Sequence, residues 1–120
     1  MLKNFFFVGL GGGIGSMLRY GAALMIPSRY FLYSTLVVNI LGSFFIGLIF
    51  ALSTEGSLSN NWKLFLAMGI CGGFTTFSAF SMENLLLVQN GKFIAAIFYI
   101  AISVVAGFSA AWMGYRLAAS

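Results

Sequence analysis

Four uninterrupted apolar stretches, each about the length of a bilayer crossing, constrain this chain more than any other feature. They run Asn4–Ile26, Phe31–Ser53, Trp62–Gln89 and Phe93–Leu117. A hydrocarbon core of roughly 30 Å needs about 20 residues of helix. None of the four shows the alternating pattern of a strand, which argues against a β-barrel. Short polar breakers separate them: Pro27-Ser28, then Glu55-Gly56-Ser57 through Asn60-Asn61, then Asn90-Gly91-Lys92. Only 7% of the residues are charged, against about 25% in soluble domains. So few charges cannot solvate a water-facing surface. The expectation is an all-α membrane protein of four transmembrane helices in one domain, 1–120, with no linker and no internal repeat. The N-terminal run Phe5–Leu10 behind Lys3 does not read as a signal peptide, because glycines and then Arg19 interrupt the apolar stretch.

The same inventory narrows the chemistry. The chain has no histidine, one cysteine (Cys71) and two acidic residues, Glu55 and Glu83. A histidine-anchored haem, a one-chain zinc site, a Ser-His-Asp triad and an intrachain disulfide are therefore excluded. The chain is not expected to be an enzyme. With alternating spans, Lys3, Lys63 and Arg116 fall on one side, and Arg29 and Lys92, with Arg19 near that end, on the other. Orientation depends on an excess of Lys and Arg on the cytoplasmic side. A balance this even fits insertion both ways round and equally fits the noise of a small count. Four helices enclose little room for a solute, so a transport function points to an oligomer. Small residues at helical spacing (Gly11 and Gly15, Gly69 and Gly73, Gly107 and Ala111) support close helix contacts, within one chain or between two.

Polar groups at membrane depth must find a partner or water. In the second span Thr35, Asn39 and Ser43 recur every four residues beside Gly42, on one helix face. That stripe can glue helices together or line a path, and the aligned carboxamide favours the path. Arg19, about a turn inside the first span, can snorkel to headgroups or hold a positive charge at a pore mouth. The third span contains Gly72-Gly73 followed closely by Thr75-Thr76, a poor helix centre. A break there is expected. It would free backbone carbonyls, hard oxygens suited to a small cation such as Na⁺, and would start a new half-helix with its N–H groups unpaired. Beyond the break Phe77 and Phe80 share a face with electron-poor ring edges, with Ser78 and Ser81 beside them. Tyr99 and Ser103, four apart in the last span, serve packing or the same path.

Three segments in order carry a resemblance. Gly72-Gly73-Phe74-Thr75-Thr76-Phe77-Ser78-Ala79-Phe80-Ser81 resembles the GGxTTFSTFS segment of the Fluc (CrcB) fluoride channels. Gly12-Gly13-Ile14-Gly15-Ser16-Met17-Leu18-Arg19-Tyr20 resembles that family's first-span motif. Thr35-Leu36-Val37-Val38-Asn39-Ile40-Leu41-Gly42-Ser43-Phe44 resembles its second-span motif. The resemblance implies an antiparallel, dual-topology homodimer in the inner membrane of a prokaryote. It implies passive export of fluoride along two pathways at the subunit interface, with no nucleic acid as partner. It further implies a central structural Na⁺ held by the carbonyls of Gly72 and Thr75. By motif position it gives Phe77 and Phe80 as pore aromatics, Asn39 as the pore asparagine and Arg19 as a vestibule cation. Ser78, Ser81, Thr35, Tyr99 and Ser103 complete the expected polar track. Ala79 departs from the family's usual threonine, and Gly107 falls where a further hydroxyl is expected.

Two other classes compete. A small multidrug exporter is also a short four-helix dual-topology dimer, but it needs a membrane-embedded carboxylate to exchange protons for cations. The first span here has none, and Glu83 lies toward the end of the third. A structural or holin-like subunit needs neither a broken helix nor an asparagine stripe.

Overall fold

Proline, glycine and capping hydroxyls punctuate an otherwise helical chain. A computed structural model describes residues 1–26 and 31–119, and among these there is helix and no strand. Helix α1 spans Leu2–Met25 and α2 spans Phe31–Thr54. The third span is composite. It consists of α3 (Asn60–Lys63), a π-helical stretch (Leu64–Cys71), α4 (Gly72–Phe74) and, after a break, α5 (Phe77–Gln89). Helix α6 spans Phe93–Ala119. The helix ends lie within two residues of the ends of the four apolar stretches.

Each terminus has a local cause. Ile26 is extended at φ −104°, ψ 127°, as a residue before proline prefers. The Pro27-Ser28 breaker itself and Arg29 lie outside the described residues. Helix α2 closes with Gly56 N–H donating to Ser53 O and Ser57 N–H to Leu52 O. Helix α5 closes the same way, with Gly91 N–H to Val88 O and Lys92 N–H to Leu87 O. Both are paired-bond C-caps that require a left-handed residue, and Gly56 and Gly91 supply it at φ 79° and 76°. Ser59 caps α3 by accepting from Trp62 N–H at 3.4 Å.

Tertiary packing uses small residues to bring backbones together in two parallel pairs. In the first, Gly11 and Gly15 of α1 lie against the carbonyls of Phe65 and Ile70, and Gly73 lies against Gly12 O. In the second, Gly47 of α2 faces Ala111 O of α6, and Gly114 faces Phe44 O. The small-residue spacing thus serves contacts within the chain. Between the pairs, Leu87, Ala96 and Tyr99 pack with Leu36 and Phe80. Among the described residues the largest fully buried side chain is only a valine, Val38, whereas most large apolar side chains are exposed. An inside this small and an outside this greasy suit a lipid solvent.

Among the described residues, three helical segments are long and apolar enough to cross a membrane: Tyr33–Thr54, the bent Asn60–Gln89 and Phe93–Ala119. Helix α1 has 24 residues, about 36 Å of helix, but its glycines and Arg19 leave it less apolar than these three.

Candidate functional site

The third span breaks at two residues. Thr75 (φ −82°, ψ 158°) and Thr76 (φ −152°, ψ 122°) are extended, between α4 and α5. The expected break is present, but the glycines are not its hinge. Gly72 stays helical at φ −63°, ψ −38°, and Gly73 is kept small by its contact with Gly12 O.

An extended pair inside a helix strands its hydrogen-bonding groups, and side chains from two other helices take most of them. The Asn39 carboxamide grips Thr76 at both ends. Its Nδ2 donates to Thr76 O at 3.3 Å, and its Oδ1 accepts from Thr76 N–H at 3.0 Å. The side chain thus replaces a strand neighbour that the membrane interior lacks. Thr76 Oγ1 in turn caps α5 by accepting from Ala79 N–H at 3.3 Å and lies 3.3 Å from Ser78 Oγ. On the other side of the break, Thr75 donates to Cys71 O through both N–H (3.0 Å) and Oγ1 (2.9 Å). Arg19 Nε reaches across from α1 to Gly73 O at 3.3 Å, a cation on the carboxyl end of a helix, where the dipole favours it. The carbonyls of Gly72 and Thr75 receive no hydrogen bond among the described residues. Gly42 lets the Thr75 methyl group pass: a β-carbon there would collide with Thr75 Cγ2.

Beside the break lies an open cavity of about 430 Å³, lined by α2, α6 and both halves of the third span. It gathers Asn39, Gly72, Thr75, Phe77, Phe80 and Ser103 among the expected residues. Ser43, Cys71 and Gly107 line it as well. Phe77 is 78% exposed, and its ring sits 5.9 Å from that of Phe80. One of the two Asn39 N–H donors is committed to Thr76; the other remains for a ligand. Ser103 Oγ is buried and has no partner. These are hydrogen-bond donors and ring edges in an apolar wall, a combination that can replace the water of a small anion.

The remaining expected residues lie elsewhere. Thr35 and Tyr99 do not line the cavity; both donate to Glu83, Thr35 Oγ1 to Oε2 at 2.6 Å and Tyr99 OH to Oε1 at 2.7 Å. Glu83 is only 8% exposed. Phe80, whose ring lies tilted 5.1 Å from that of Tyr99, connects this carboxylate cluster to the cavity. Glu83 is the buried polar residue next to the cavity that reading the sequence for an anion path passes over. Its signal is its place six residues after Phe77, in a span with no other carboxylate. Arg19 sits behind the break rather than in the cavity, and Ser78 and Ser81 are exposed on α5.

Fold and site together define a multi-pass helical membrane protein with a polar site at a broken helix. Residues 6–115 match the family described as CrcB-like protein, camphor resistance (CrcB), and the chain belongs to that family. It is 47% identical over 121 residues to a protein of Azobacteroides pseudotrichonymphae named fluoride-specific ion channel FluC, covering 98% of this chain and 97% of that one. It is 47% identical to a Thermus thermophilus protein of the same name, covering 97% and 95%. A Flavobacterium psychrophilum protein of that name is 45% identical, with 98% of each chain covered.

Proposed function

We propose that this chain is a fluoride-selective ion channel that lets fluoride leave the cell passively across the inner membrane of a prokaryote. Its near full-length likeness to three proteins named as such channels supports the reading. So does the observation that carries it in this chain: one cavity holds the free donors of Asn39 and Ser103 beside the Phe77 and Phe80 rings. Fluoride is small and strongly hydrated, so only close, fixed donors replace its water at low cost. It enters cells as neutral HF, ionises in the cytoplasm, and the negative membrane potential drives the anion out. No reaction is catalysed and no carboxylate takes part in exchange. Glu83, the group an exporter would use, does not line the cavity and is held by two hydroxyls.

The working unit in this proposal is an antiparallel homodimer with α1 as a fourth crossing helix. The open side of the cavity and the outward Phe77 ring are what a second copy would cover. At the break, the Gly72 and Thr75 carbonyls offer hard oxygens free of other bonds. Among the described residues no cluster of His, Cys, Asp or Glu competes for a metal. That donor set fits Na⁺, which would supply fixed positive charge next to the path. Asn39 and Thr76 hold the carbonyl-bearing turn in place, and Arg19 keeps the Gly73 peptide from joining it.

The test is fluoride efflux from proteoliposomes followed with an electrode. Fast efflux of fluoride over chloride, lost in Asn39→Ala, supports the channel. A well-folded protein that passes no fluoride overturns it.

A further inference from the structure

Helices α2 and α6 run parallel and in step. Ser43 stands opposite Gly107, and Gly47 opposite Ala111. Four residues back along both helices, the same register sets Asn39 level with Ser103, and both line the cavity beside the break. Another four back are Thr35 and Tyr99, joined through Glu83. The seam between the two helices is thus a ladder whose rungs stand about 6 Å apart. At Gly47 the seam closes, because a β-carbon there would collide with Ala111 O. One rung earlier it is open. A β-carbon built on Gly107 would meet only Ser43 Oγ, at 3.5 Å, an ordinary contact.

The third span runs the opposite way, with Thr76 at Asn39 and Thr75 at Gly42. Phe77 and Phe80 therefore wall the Asn39 end of the cavity, and Cys71 and Ala67 the Ser43 end. The two ends differ in chemistry. At the first are a carboxamide N–H, the Ser103 hydroxyl and two aromatic rings. The second is bounded by Ile46 and Ala67, and the Thr75 hydroxyl nearby is spent on Cys71 O. A hydroxyl inside a helix often turns back onto the carbonyl four residues earlier, as Thr75 does here. Ser43 Oγ makes no such bond and has no hydrogen-bond partner among the described residues. It is a free donor on the cavity wall.

We propose that Ser43 Oγ is a second donor station on the fluoride path, one rung beyond Asn39 and Ser103 and facing the gap that Gly107 leaves on α6. The inference rests on the channel reading and adds to it the residue that carries the ion through the apolar end of the cavity. Beyond the Asn39 rung a small anion stripped of water would otherwise meet hydrocarbon, which is costly. A hydroxyl donating about 6 Å further on keeps each step between donors short.

The experiment moves the hydroxyl from one wall to the other and reads fluoride efflux from proteoliposomes. Ser43→Ala should slow efflux at least about tenfold, the worth of one hydrogen bond to an ion. Because a β-carbon fits at Gly107, adding Gly107→Ser to Ser43→Ala offers the hydroxyl from α6 and should recover most of the rate. Adding Gly107→Ala instead supplies bulk without a donor, and efflux should stay slow. Stability by steric trapping should be the same in Ser43→Ala as in the unaltered protein, since the hydroxyl has no partner to lose. Full-rate efflux in Ser43→Ala overturns the inference and leaves the channel reading standing. Recovery by Gly107→Ala as complete as by Gly107→Ser overturns it, and so does no recovery by either or a destabilised Ser43→Ala. An unaltered protein that passes no fluoride overturns both the channel reading and this inference.

Discussion

Removing the Asn39 side chain tests whether one carboxamide both holds the break and serves the path. In Asn39→Ala, Thr76 loses a donor at 3.3 Å and an acceptor at 3.0 Å. Interhelical hydrogen bonds in bilayers average about 0.6 kcal/mol and reach about 1.7. A buried polar group left unsatisfied costs about 1–3 kcal/mol. The Thr76 N–H, with no other acceptor, belongs at the upper end. The Thr76 carbonyl, bonded at the longer distance and beside an open cavity, belongs at the lower. Together they amount to about 2–3 kcal/mol. Ser103→Ala is the matched comparison: Ser103 Oγ lines the same cavity with no partner, so its removal should cost nothing or stabilise slightly. Unfolding is measured by steric trapping in bilayer discs, and fluoride efflux in liposomes of the same lipid. Both variants should lose efflux, but only Asn39→Ala should lose stability. A stability change below about 0.5 kcal/mol in Asn39→Ala would refute the bracing role. Unchanged efflux in Ser103→Ala would remove that hydroxyl from the path.

Other substitutions test the frame around the site. Gly47→Ala places a β-carbon against Ala111 O and should separate α2 from α6. Gly9→Ala, which meets nothing within 4 Å, should gain up to about 1 kcal/mol of helix propensity; equal thermal shifts for the two would contradict the packing. Gly91→Ala forces a side chain to φ 76° and should cost about 1–2 kcal/mol by the same unfolding assay. Glu83→Leu leaves the hydroxyls of Thr35 and Tyr99 without their shared acceptor; a loss of about 2 kcal/mol or more is expected, and none would show that the cluster is not formed. Arg19→Lys keeps the charge but not the reach of Nε to Gly73 O. If Arg19 serves only as a mouth charge, efflux should survive that change; if it also caps α4, Lys should lower stability as much as Arg19→Gln.

The solvent and the punctuation of this protein are written in its sequence. Four apolar stretches with so few charges leave only a membrane, and Gly56, Gly91 and Ser59 mark helix ends through chemistry that acts within a few residues. The weak point in the third span was legible for the same reason, since two β-branched threonines after two glycines resist helix locally. Which of those residues gives way was settled by tertiary contact. Gly72 and Gly73 remain helical, with Gly73 lying close under Gly12 O, while Thr76 is pulled extended by a carboxamide 37 residues away in sequence. Asn39, read as either glue or path, braces the break and lines the cavity at once, and spacing on one helix could not say what its partner would be. The same holds for Thr35 and Tyr99. Their helical spacing placed them on polar stripes, but only the approach of α5 to α2 and α6 brings Glu83 between them. The π-helical stretch has no local signal either, because a widened turn depends on what packs against it. Local propensity acts over a turn or two of chain, whereas partners for buried polar groups are chosen across helices, where only the folded chain can pair them.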